Sequence, residues 1–238
     1  MESRMKKIGI ICAITKELGA FLPYIQECKT TDKAMLKFYE GKINNTDVVA
    51  LFCGVCKTNA ALATQVLIDT YGVDVVINAG TAGGMDKNLD VFDTVICTEA
   101  VYHDVHEGIL TEFHPWLESK FFKSDEDLLN LARKVADRAD VKGKIYFGRM
   151  VTGEQFIVDD GREEIIANLN PLSVDMETAA MAHVCYVNKI PFIAIRSISD
   201  TADHSGEDNF AKNCVTASEV AKDIVLELLV EIEKNSNW

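Results

Sequence analysis

No stretch of this sequence approaches the roughly 20 consecutive apolar residues needed to cross a bilayer. The opening apolar run, Ile8 to Ile14, is of strand length, and Met1-Glu2-Ser3-Arg4 before it carries no secretory signal. A cytoplasmic protein without a membrane partner is the expectation. Cations are also in short supply: 24 Lys and Arg stand against 37 Asp and Glu, a formal net charge of −13. Phosphate backbones demand clustered Lys and Arg, so the charge argues against a nucleic-acid partner. The seven cysteines are odd in number, and Cys12, Cys97 and Cys185 sit inside apolar runs. That pattern fits small buried thiols in a reducing compartment, not a disulfide framework. Missing too are a Pro/Gly/Ser-rich linker, a composition shift and an internal repeat, so residues 1–238 read as one domain.

What the chain does have is core material. Hydrophobic residues make up 48% of it, ample for a buried core. Residues 7–14 form an almost continuous apolar run, the pattern of a strand covered on both faces. Residues 15–25 then place Leu18, Phe21, Leu22 and Ile25 at helical spacing. Segments 36–43 and 47–52 read as strands, with a hairpin turn at Asn44-Asn45. A helix is predicted over 57–71, a buried strand over 73–78 and another over 93–100. Residues 103–122, mixed in His, Pro and aromatics, read as a long loop. Helices follow at 125–138, 162–169, 177–187 and 209–234, and strands at 144–151, 173–176 and 192–197. This alternation predicts an α/β fold, a three-layer α/β/α sandwich with a central mixed, mostly parallel sheet. Ligands in such folds bind at the carboxyl ends of the strands, so the chemistry belongs just after each apolar run.

Three constellations there have mainly bland readings. Gly80-Thr81-Ala82-Gly83-Gly84 lacks the dinucleotide spacing and the Lys-Ser/Thr pair of a phosphate loop, and reads as a glycine turn that lets backbone approach a sugar. Cys53-Gly54-Val55-Cys56 has no second Cys pair for zinc, and buried thiols are mostly inert. His103, His106, Glu107 and His114 lie in the long loop without the spacing of a zinc-binding helix, and no metal is expected.

Three acids are more informative. Glu17 follows the first strand, Glu177 opens a helix after another, and Asp200 ends Ile198-Ser199-Asp200 after the last. Each alone would more often cap a helix. If the strands are parallel, however, all three meet on one sheet edge as an acid/base site.

With these residues in place, the sequence resembles the methylthioadenosine/S-adenosylhomocysteine nucleosidases, within the wider purine nucleoside phosphorylase superfamily. The resemblance spans nearly the whole chain. It rests on Ile8-Gly9-Ile10-Ile11 with Glu17, on Asn78-Ala79-Gly80-Thr81-Ala82-Gly83-Gly84, on Gly153-Glu154-Gln155-Phe156-Ile157, on Val174-Asp175-Met176-Glu177 and on Arg196-Ser197-Ile198-Ser199-Asp200. It implies a cofactor-free hydrolase, a homodimer, acting on a small nucleoside. Glu17, helped by Arg196, would orient and deprotonate water; Asp200, supported by Ser199, would protonate adenine N7. Glu177 would hold the ribose hydroxyls, with Met176 against the sugar and Thr81 and Gly83 close to it. Phe156 would stack on adenine, Ile157 would present backbone groups to the purine edge, and Phe210 would line the alkylthio end.

This sequence departs from that pattern in places. Thr81 stands where the family usually has Ser, Asp175 where it has Glu, and Cys56 where a Gly is common. The segment 105–116 replaces the family's usual loop, which helps to build the 5′ pocket across the dimer interface; Phe113 and Trp116 are its candidates for closing that pocket. Two other activities share much of this reading. A phosphorylase would use phosphate in place of water, but a carboxylate at Glu17 repels phosphate. A silent nucleoside-binding protein would not need the full Glu17, Glu177, Arg196 and Asp200 set. A deoxyadenosine or aminofutalosine nucleosidase would differ mainly in the sugar or its 5′ group.

Overall fold

The computed structural model describes residues 6–106, 108–114, 116–158, 161–201 and 207–235. In chain order the elements are β1 (Lys7–Cys12), α1 (Thr15–Phe21), a 3₁₀ turn (Leu22–Tyr24), β2 (Gln26–Lys33), β3 (Leu36–Ile43), β4 (Thr46–Phe52), α2 (Lys57–Tyr71) and β5 (Val75–Gly84). There follow β6 (Thr94–Tyr102), α3 (Ile109–Phe113), β7 (Phe122–Lys123), α4 (Glu126–Ala136), β8 (Ile145–Thr152), α5 (Arg162–Leu169), β9 (Ser173–Asp175), α6 (Thr178–Asn188), β10 (Phe192–Asp200) and α7 (Glu207–Lys234).

The strands form one mixed sheet, in the order β10-β6-β8-β9-β5-β1-β4-β3-β2. Because β10 also pairs with β5, the strands β5, β10, β6, β8 and β9 are hydrogen-bonded in a closed circuit. The apolar runs explain the layering. Along β1, Ile8, Ile10 and Cys12 join α1, α4 and α7 on one face, while Ile11 joins α2 and α6 on the other. Both faces are therefore covered, as the continuous apolar pattern requires. Each fully buried Ile or Leu contributes about 1.5–3 kcal/mol, and the strands supply most of them. Helix α4 shows the local logic: Asp125 accepts from the backbone N–H groups of Asp127 and Leu128, each at 3.0 Å, and Leu128, Leu129, Ala132 and Val135 form its buried stripe.

Several expectations are revised. The glycine segment is not a turn: β5 runs extended through Gly84, because Gly80 to Gly83 pair with β10 and Gly83-Gly84 with β9. The strand at 192–197 likewise extends to Asp200, held by the same ladder. Strand β2 carries no hydrophobic alternation, since its residues are exposed throughout, and only pairing with β3 marks it as a strand. The loop at 103–122 contains the short helix α3 and ends in β7. Finally, β1, β5 and β10 are mutually parallel, but β9 is antiparallel to β5 and parallel to β8. The acids therefore converge for a reason other than a uniform sheet direction.

Candidate active site

Glu17 performs two tasks at once. It is the third residue of α1, and its Oε2 folds back to accept from the N–H groups of Ala13 at 2.7 Å and Ile14 at 3.2 Å, which is the capping role. Its other oxygen faces β5, accepting from Thr81 N–H at 2.7 Å and Thr81 Oγ1 at 3.0 Å. The approach is so close that a Cβ at Gly80 would run into the Glu17 carboxyl, which is why glycine stands there.

Arg196, on β10, is almost wholly buried and organises the acids around it. Its Nε donates to Asp175 Oδ2 at 3.1 Å and its Nη2 to Glu177 Oε2 at 2.6 Å. Nη1 lies 3.9 Å from Glu17 Oε1 and has no hydrogen-bond partner among the described residues. Burial would push the guanidinium down, but Asp175, Glu17 and Glu177 outweigh it and hold it charged. Three carboxylates share this one cation. The surplus negative charge is relieved at Glu177: burial lifts its carboxyl to about 7, against the pull of Arg196 and with the help of Asp175. Glu177 Oε1 also accepts from the Cys56 N–H at 3.0 Å.

Asp175 was visible in the sequence only as part of a motif, yet it is the hub beneath the site. It accepts from Thr152 Oγ1 at 2.7 Å, from the N–H groups of Glu177 and Thr178 at 3.1 and 3.0 Å, and from the Thr178 hydroxyl as well as from Arg196. The short β9 thus delivers Glu177 to Arg196 by a tight, side-chain-capped bend into α6. No periodicity signals such a bend; the Asp-x-x-Thr spacing is its one trace.

Asp200 lies apart from this cluster. Ser199 Oγ donates to its Oδ1 at 2.7 Å, its Oδ2 sits over Gly83, and Asn213 of α7 donates to the Ser199 carbonyl at 2.9 Å. Burial pushes the Asp200 carboxyl up, while the Ser199 bond and the charge of Arg162 pull it back; the net direction is up. No carboxylate contributes to this rise; that effect falls on Glu177 instead. Arg162 and Asn213 are contributors that sequence reading missed, for neither lies in a motif.

These groups face a cavity of about 440 Å³. Glu17, Thr81, Gly83, Phe156, Ile157, Met176, Glu177, Arg196, Ser199, Asp200 and Phe210 all line it, so the structure brings these eleven sequence-derived residues together. Phe156 and Phe210 meet edge to face at 6.2 Å across its mouth. Phe113 and Trp116 do not line it; they are 67% and 61% exposed. Cys53 and Cys56 are free thiols, the former buried and pushed up by burial. Among the described residues no three His, Cys, Asp or Glu are grouped to hold a metal ion. His103 packs against Gly153; Glu107 and Pro115 lie outside the described residues.

Residues 7–230 match the profile of a family described as the phosphorylase superfamily. A 5′-methylthioadenosine/S-adenosylhomocysteine nucleosidase of Staphylococcus carnosus is 35% identical over 226 residues, covering 93% of this chain and 98% of that protein. The crystal structure of such a nucleosidase from Colwellia psychrerythraea, in complex with adenine, is 33% identical and superposes with a TM-score of 0.88, covering 98% of both chains. The futalosine hydrolase of Helicobacter pylori superposes with a TM-score of 0.86 at 26% identity, over 95% of this chain and 98% of that one.

Proposed function

The chain belongs to the phosphorylase superfamily and, within it, to the 5′-methylthioadenosine/S-adenosylhomocysteine nucleosidases, and on that footing we propose that it hydrolyses the N-glycosidic bond of a 5′-thio-substituted adenosine. The observation that carries this reading is the division of carboxylates across one cavity. Glu17 sits beside a guanidinium donor that has no hydrogen-bond partner among the described residues, and Asp200, outside that ion-pair cluster, lines the same cavity with its carboxyl pushed up by burial.

Breaking the bond builds positive charge on the sugar and negative charge on the departing purine. Asp200, oriented by Ser199, gives its proton to adenine N7. Water held by Glu17, Arg196 and Thr81 loses a proton to Glu17 and adds at C1′. Glu177 binds the ribose hydroxyls, Met176 and Gly83 bound the sugar, Phe156 stacks on the base, Ile157 offers backbone groups to the purine edge, and Phe210 lines the 5′ end. The reaction so written draws on no cofactor.

Phosphate is the poorer nucleophile for this site. Arg196 is the one cation among the described cavity-lining residues, and three carboxylates already engage it. Residues 1–238 would act as one unit in a cytoplasmic homodimer serving methionine salvage, with the exposed Phe113 and Trp116 in the interface, where they would border the partner's 5′ pocket. The test is adenine release from methylthioadenosine in phosphate-free and phosphate buffer. Equal release with free methylthioribose is expected; a requirement for phosphate would overturn the role of Glu17. No release in either buffer would move attention to other 5′ groups, futalosine first, given the structural likeness to that hydrolase.

A further inference from the structure

Behind the cavity wall lies a group of charges that the chemistry above does not use. The Lys57 ammonium, at the start of α2, bonds both oxygens of Asp104 at 2.8 Å. Asp104 Oδ2 also accepts from the Glu154 N–H at 3.0 Å, and Lys57 lies 3.9 Å from the Glu154 carboxylate. The ammonium sits 5.3 Å from the centroid of the Tyr102 ring. Lys57 and Asp104 side chains are only 21% and 27% exposed, so this pair is screened less than a surface bridge.

What the cluster joins gives it meaning. Lys57 follows Cys56, whose N–H donates to Glu177 Oε1, and Val55, which lines the cavity. Glu154 precedes Gln155, Phe156 and Ile157, which line the cavity as well. Asp104 leaves β6 just where β8 ends alongside it, with Tyr102 opposite Thr152. The His103 ring fills the space above Gly153, so those two exits interlock. One carboxylate therefore couples the segment on the Glu177 carboxylate to the Glu154–Ile157 segment.

We propose that Asp104 is a positioning residue, which through Lys57 and the Glu154 N–H sets the spacing between the sugar-binding and base-binding walls. This rests on the nucleosidase reading above. A small misplacement of such walls costs rate, because reacting groups must be held in near-attack geometry. Asp104 touches no reacting atom and acts through its two neighbours.

The experiment compares wild type with Asp104→Ala, Asp104→Asn, Asp104→Glu, Lys57→Met and the Lys57→Met/Asp104→Asn double variant. Adenine release from methylthioadenosine is measured per folded molecule, and adenine affinity by calorimetry. Asp104→Ala is expected to lower kcat/KM by about tenfold or more, chiefly through KM, and to weaken adenine by a similar factor. Asp104→Asn, which keeps an acceptor for Glu154, should fall between Ala and wild type, and Asp104→Glu should recover part of the loss. The double variant should be no worse than its worse parent, because the two residues act as a unit. Asp104→Ala within about twofold of wild type in both readouts, or strictly additive losses, would overturn the proposal. If wild type releases no adenine, the nucleosidase reading fails first, and adenine affinity across the variants still decides the role of Asp104. Adenine binding absent from wild type would overturn both.

Discussion

Asp200 and Glu177 are both carboxyls lifted above their ordinary range by burial, and only Glu177 also by neighbouring carboxylates. Asp200 is raised by burial, against the pull of the Ser199 hydroxyl that donates to it and of the Arg162 charge. Asp200→Asn should keep nucleoside binding and lower kcat by about 10²–10⁴, the usual worth of a positioned general acid. Full activity in that variant, measured by adenine release, would remove Asp200 from the role. Glu177 is lifted from the ordinary carboxylate range to about 7 by burial among like charges. A folded carboxyl whose affinity for protons exceeds that of the unfolded chain stabilises most at low pH and loses that contribution as pH rises. The thermal midpoint should therefore carry a component that declines between about 4.5 and 7, and Glu177→Gln should flatten it. Cys56 is a third special residue. Its backbone, at φ 84° and ψ 158°, lies in a region suited to glycine, and it sits there because its N–H must reach Glu177. Cys56→Gly should stabilise the fold by about 1 kcal/mol with the hydrogen bond intact, read from the urea midpoint.

Among the elements, α1 and α6 place their acids by opposite means. Helix α1 uses Glu17 itself as its cap, so the capping reading of that residue holds, while its other oxygen faces Thr81 on the cavity wall. Helix α6 is started by Asp175, whose carboxylate takes the N–H groups of Glu177 and Thr178 and leaves the Glu177 side chain free for Arg196. The segment carrying α3, Phe113 and Trp116 leaves both aromatic side chains exposed and off the cavity. If it serves a partner's pocket, Trp116→Ala should raise KM more for thioethers than for adenosine, and dilution below the dimer's dissociation constant should reproduce that difference. Equal effects on both substrates would detach the segment from the 5′ end.

Across the whole molecule, two levels of information contributed. Apolar runs at β1, β5 and β10, separated by helical periods, determined a sheet covered on both faces, because burying both faces of a strand leaves no other pattern. Motifs at strand ends determined which acids to consider, and all of them line one cavity. Composition could not reveal β2, which has no buried face, nor the extension of β5 through its glycines, which pairing with β9 and β10 stabilises. The tertiary structure alone decided that β9 runs against β5, that Arg196 gathers three carboxylates, and that Glu177 rather than Asp200 takes the effect of their repulsion. Those outcomes depend on distances of a few ångströms between residues far apart in the chain. Local sequence sets what each side chain can do, but long-range pairing sets which charges share a desolvated space.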